Sequence, residues 1–144
     1  MLFERKPNRL ANYDYSKDNL FYITSCVKDR ICCFGAINGI IMICNEFGTI
    51  AENQWNWLFC QYPYLINHAF VVMPNHIHGI IEINRNNIGT GRVGTGRDLS
   101  LQYKIKSLSE IIGAYKTTVS KQIHLAGLKT FQWQRSFHDH IIRD

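Results

Sequence analysis

Two apolar runs, YLINHAFVVM (64–73) and HIHGIIEI (76–83), are separated only by Pro74 and Asn75. So short a Pro-Asn connection between runs rich in β-branched residues predicts an antiparallel hairpin. Its second strand carries two histidines. Residues i and i+2 of a strand share a face and stand about 7 Å apart at Cα, so His76 and His78 aim at one side while Ile77 goes to the other. Imidazoles in an apolar strand cost free energy unless each finds a partner. Either the two rings chelate one divalent ion, neutral imidazole being the commonest protein metal ligand, or each hydrogen-bonds to a neighbour. The spacing alone leaves both open.

Around this hairpin the pattern is mixed. LFYITSCV (20–27) alternates and reads as a strand, and GIIMICNEFG (39–48) reads as another, closed by a turn at Asn45–Gly48. Ile50, Trp55, Leu58 and Phe59 fall roughly at helical spacing until Pro63 stops them. Ser107 and Glu110 form an S-x-x-E capping box ahead of Leu108, Ile111, Ile112, Tyr115, Val119 and Ile123, with Lys116 and Lys121 off that stripe on a solvent face. FQWQRSFHDHIIRD then reads as a turn and a last strand. The order β, β, α, β, β, α, β predicts an α+β fold with helices on one face of an antiparallel sheet. With 46% hydrophobic and 12% aromatic residues, a chain of 144 residues can pack one domain, 1–144, or one domain missing an end.

Residues 85–99 hold a five-residue repeat, GTGRV/GTGRD, and read as a mobile loop. GTGRVG formally matches G-x-G-x-x-G. No helix opens directly on it, no Walker lysine follows, and the chain is too short for a doubly wound sheet, which argues against a dinucleotide site. No apolar run nears the ~20 residues that span a bilayer, and the charged N-terminus is unlike a signal peptide, so a cytoplasmic, non-membrane protein is expected. The five cysteines show no C-x-x-C spacing and read as reduced core residues. Charge is uneven: up to Asn84 there are six Lys or Arg against seven Asp or Glu, and from Arg85 onward ten against four. The basic second half favours a phosphate-rich partner.

The phrase VVMPNHIHGIIEI (71–83) resembles the single-tyrosine HUH transposases, in particular the REP-associated tyrosine transposases. FYITSCVKDR, SLSEIIGAYKTTVSKQI and WQRSFHDHIIR look like further segments of that family in the same order, so the resemblance runs from about Leu20 to the C-terminus. It implies a ferredoxin-like α+β fold and a Mg2+ or Mn2+ ion on His76 and His78. It also implies cleavage and rejoining of single-stranded or hairpin DNA through a 5′-phosphotyrosine with a free 3′-hydroxyl. The family's nucleophile belongs to a C-terminal pattern like Y-I-x-x-N-P, which is absent here. The chain is therefore expected to be a family member without its catalytic helix, whether a truncated gene, a fragment or an isolated domain.

Tyr115 lies on the apolar stripe of its helix, where core packing competes with a substitute nucleophilic role. His138 and His140 repeat the i, i+2 spacing; His140 is either a further ligand near the ion or an exposed strand histidine, and Glu82 suits a rim position better than ligation. Lys104, Lys106, Lys116, Lys121, Lys129, Arg135 and Arg143 are the candidate DNA contacts, with Trp133 or Phe137 available to stack on bases. Two functions follow: a DNA strand transferase acting as a family-like homodimer, or a catalytically inactive remnant that binds metal or DNA without cutting. A hydrolase of small phosphoesters is disfavoured by the lack of paired carboxylates beside the histidines.

Overall fold

The computed structural model describes residues 19–84, 105–135 and the backbone of 138–142. Strand β1 (Asn19–Cys26) leads through a short 3-10 turn into a small hairpin, β2 (Gly35–Asn38) and β3 (Ile41–Cys44). Helix α1 (Glu46–Gln61), strands β4 (Leu65–Met73) and β5 (His76–Ile83), helix α2 (Leu108–Leu125) and strand β6 (His138–Ile142) follow. The main sheet has the order β4-β5-β1-β6 with every pair antiparallel. Setting the β2–β3 hairpin aside, this is the βαββαβ arrangement of a ferredoxin-like fold.

Strand parity separates the two faces. Phe21, Ile23, Ile77, Ile81 and Ile83 are fully buried and pack against Ala51, Trp55 and Leu58 of α1 and Leu108, Ile111, Ile112, Tyr115, Val119 and Ile123 of α2. Their neighbours Tyr22, Thr24, His76, His78 and Ile80 take the opposite face. Gly79 is glycine because α1 comes too close for anything else: a Cβ there would lie 2.4 Å from Trp55 Cη2. One residue of β4, His68, bulges between Asn67 and Ala69, and its Nε2 meets Glu82 Oε2 at 3.0 Å.

The segment 39–48 departs from its sequence reading. Asn45 does not close a strand with a turn; its Oδ1 accepts from the amides of Phe47 (2.9 Å) and Gly48 (3.0 Å) and caps α1. The apolar run before it is half of a hairpin whose two-residue turn, Gly39-Ile40, has Gly39 at φ 66°. Ser107 caps α2 as expected, its Oγ accepting from Glu110 N at 3.3 Å. The cysteines are free, but none is fully buried, and Cys32 and Cys60 are exposed. Among the described residues no helix is long and apolar enough to cross a membrane. The stretch 85–99 lies outside the described residues.

Candidate metal centre

His76 opens β5 immediately after the Pro74-Asn75 turn, and that turn is tied down from three sides. Asn75 O accepts from Val27 N (2.9 Å), Pro74 O accepts from Phe34 N (3.0 Å), and Asn75 Nδ2 donates to Arg30 O (3.4 Å). The last bond also orients the Asn75 amide, turning its Oδ1 toward His76 Nδ1 at 2.6 Å. A carbonyl oxygen only accepts, so His76 Nδ1 carries the proton and Nε2 is left with a bare lone pair.

That lone pair meets the second imidazole. His76 Nε2 and His78 Nε2 stand 2.8 Å apart, with the rings inclined at 81°. On the far side, His78 Nδ1 lies 2.8 Å from Thr24 Oγ1 and 3.1 Å from the Tyr22 hydroxyl, both on β1 across the sheet. Without an ion, His78 Nε2–H donates to His76 Nε2 and the β1 hydroxyls donate to His78 Nδ1. With the His78 proton on Nδ1 instead, the same hydroxyls accept it and both Nε2 lone pairs face one point. Hydroxyls serve either tautomer because they both donate and accept.

The 2.8 Å separation is that of a hydrogen bond between the rings and is also close to the span of two adjacent ligands on an octahedral cation. Adjacent ligands at bond lengths of about 2.1 Å are about 3.0 Å apart in an octahedron and about 3.4 Å apart in a tetrahedron. Burial holds both imidazoles below their ordinary 6.5, and the Arg30 guanidinium, like any proton on His78, disfavours charging His76 further, so the neutral form that can act as a ligand is favoured at both. Among the described residues no group of three His, Cys, Asp or Glu side chains is assembled for a metal. His76 and His78 are the described side chains here that could hold an ion, and they are two rather than three.

Lowered imidazole values have a consequence for folding. As pH falls below 6.5 the unfolded chain takes up protons before the folded one does, so this stabilising contribution is complete above 6.5 and is lost as pH passes down through the lowered folded values. A series of urea unfolding midpoints from about pH 7 to about pH 5 should decline, and the His76→Ala/His78→Ala double variant should decline less steeply. Equal slopes for the two chains would remove the imidazoles as the cause.

The remaining candidates divide. Tyr115 is not a nucleophile: its ring is fully buried, its hydroxyl donates to Ala51 O at 3.0 Å, and burial raises its value well above the ordinary range. Lys116 is not on an open face; half-buried, its Nζ donates to Gln134 O at 2.8 Å. Lys121, Lys129 and Arg135 are exposed, and Lys106 lies at the other end of α2, 6.0 Å from the Tyr62 ring centre. Trp133 is half-buried among Phe34, Phe131 and Tyr115, its Nε1 donating to Lys116 O at 3.1 Å, so packing occupies its ring. Glu82 holds His68 rather than the pair. The register sets His138 opposite Thr24 and His140 opposite Tyr22. The side chains of His138 and His140 lie outside the described residues, as do Tyr103, Lys104, Phe137 and Arg143. Tyr22 and Thr24 escape a sequence reading because nothing local to them announces a partner 54 or 56 residues away; Asn75 is visible beside the pair but reads only as a turn residue.

No family model matches the chain. An uncharacterised protein of Haemophilus influenzae (strain ATCC 51907 / DSM 11121 / KW20 / Rd) is 32% identical over 148 residues, covering 99% of this chain and 81% of that protein. The chain belongs to that protein's family. Solved structures extend the likeness to the fold. A REP-associated tyrosine transposase bound to a REP hairpin superposes with a TM-score of 0.57 at 18% identity, over 97% of this chain. This chain spans 64% of that transposase's length. A Deinococcus radiodurans protein provisionally assigned as a transposase gives a TM-score of 0.56 at 12% identity, over 94% of this chain and 86% of its own.

Proposed function

We propose that this family member is an HUH-type, transposase-like DNA-binding protein in which His76 and His78 hold a Mg2+ or Mn2+ ion against a phosphate of single-stranded or hairpin DNA. The observation that carries this reading is the convergence of two neutral Nε2 atoms, 2.8 Å apart, on a sheet face that no described helix covers. The fold shared with a transposase bound to a REP hairpin supports it. When bound, the ion would supply charge neutralisation and polarisation of the phosphate. The chain's own residues fix the ligands: Asn75 sets the His76 tautomer, and Thr24 and Tyr22 hold the rear of His78. Lys116, Lys121 and Arg135 are the phosphate contacts this reading favours.

Cleavage needs a nucleophile as well. Among the described tyrosines, Tyr62, Tyr64 and Tyr115 are buried, and Tyr22 is the exposed one beside the pair. If His78 gives Nε2 to the cation, its Nδ1 carries a proton and cannot take one from Tyr22. That observation favours a second reading, a protein that binds metal and DNA without cutting. Labelled hairpin DNA incubated with the chain and manganese, then run on a denaturing gel, separates them. A covalent protein–DNA adduct is the expected mark of strand transfer; binding without an adduct supports the non-cutting protein, and no binding ends both.

A further inference from the structure

Helix α2 ends in a Schellman turn: Gly127, at φ 113°, donates to His124 O (3.1 Å) and Leu128 N donates to Ile123 O (3.2 Å). The chain then returns alongside the helix, with Phe131 and Trp133 packed on the core. Three bonds fix the two walls: His124 Nε2 to Phe131 O (2.8 Å), Lys116 Nζ to Gln134 O (2.8 Å) and Trp133 Nε1 to Lys116 O (3.1 Å). Over this joined seam lies a shallow, open cleft of about 890 Å³. Lys116, Lys121 and Lys129 line it, and no Asp or Glu does among the described residues.

The cleft lies along α2, so a strand leaving the histidine face reaches it only around the end of the sheet. A second concavity of about 740 Å³ shares Gln132 and Trp133 with it and adds Lys28, Arg30 and Arg135, against one carboxylate, Asp29. Val27 bridges to Trp133 on one side and bonds to Asn75 on the other. Two such backbone spacings amount to about 10 Å, which is the separation of Trp133, shared by the two concavities, from Asn75 beside His76.

We propose that the cleft between α2 and residues 128–134 binds the sugar–phosphate backbone of single-stranded DNA on one side of the phosphate at His76 and His78. The inference rests on the function proposed above and specifies where the strand runs. Backbone is favoured over bases because the ring nearest the lysines, Trp133, is engaged with Phe34, Phe131 and Tyr115.

Single-strand affinity falls with salt at a slope of about 0.7 per neutralised phosphate. The test is fluorescence anisotropy of a labelled oligothymidine strand with the full chain across a salt series. Comparators are a Lys121→Gln/Lys129→Gln double variant, both positions exposed and tolerant of change, and Lys106→Gln at the other end of α2. The double variant should lower the slope by about 1.4 and weaken binding roughly tenfold or more near 0.1 M salt, with Lys106→Gln nearer to wild type. A wild-type slope in the double variant, or an equal loss in Lys106→Gln, would overturn the cleft and with it the Lys121 contact, while leaving DNA binding at the histidine pair standing. Failure of the unaltered chain to bind the strand would overturn the cleft, and failure to bind hairpin DNA as well would overturn both.

Discussion

His78→Ala is expected to reduce manganese binding more than about 100-fold, beyond the 10- to 100-fold range that follows loss of an outer-shell partner. The variant leaves His76 Nε2 facing space, and a single imidazole is a poor holder of a hard cation that prefers oxygen. Thr24→Val is the informative companion. It removes the 2.8 Å partner of His78 Nδ1 and keeps the Tyr22 hydroxyl at 3.1 Å, so the ring retains a weaker anchor. Its manganese affinity should fall within that outer-shell range, and nitrogen chemical shifts of the metal-free protein should report a changed His78 tautomer population. Isothermal titration calorimetry of the three chains gives the ranking: wild type tightest, Thr24→Val intermediate, His78→Ala weakest. Wild-type affinity in His78→Ala would place any bound ion elsewhere.

Why the pair can be read from sequence while its supports cannot is a matter of distance along the chain. A strand's two-residue period is a local rule, so H-x-H in an apolar run places both rings on one face whatever the fold does. The partners that set the His78 tautomer come from β1, and pairing Thr24 with His78 requires the β1–β5 register, a product of the whole sheet. Helix α2 is legible because its stripe and its Ser107 cap agree with each other. The segment 39–48 misleads because Asn45 suits a turn and a helix cap equally, and the choice depends on whether the next residues are helical. Lys116 looks solvent-facing because its helix stripe says so; the returning chain beyond Gly127 gives it Gln134 O to bind. The ferredoxin-like topology itself comes from a resemblance, and the strand order supports it.

The second large effect lies beneath the site. Trp55 is fully buried, stacks on Phe70 at 4.5 Å, meets Tyr115 edge-on at 5.5 Å and donates from Nε1 to Asn67 Oδ1 at 3.2 Å. Trp55→Ala should cost about 3–5 kcal/mol, a large share of the 5–15 kcal/mol by which a small domain is normally stable. Gly79 faces the same indole, and Gly79→Ala, with its methyl 2.4 Å from Cη2, should cost about 1–3 kcal/mol by overpacking. The two losses should not add. Removing the indole opens the space that the methyl added at position 79 would enter, so the double variant is expected to be more stable than the sum of the single losses predicts, by about 1–2 kcal/mol. Denaturant unfolding of the four chains measures this coupling. Strict additivity would mean that β5 shifts away from α1 when Gly79 is changed, and His78, the adjacent residue, would then move with it; the coupled result instead identifies the indole as the floor that holds the histidine strand in place.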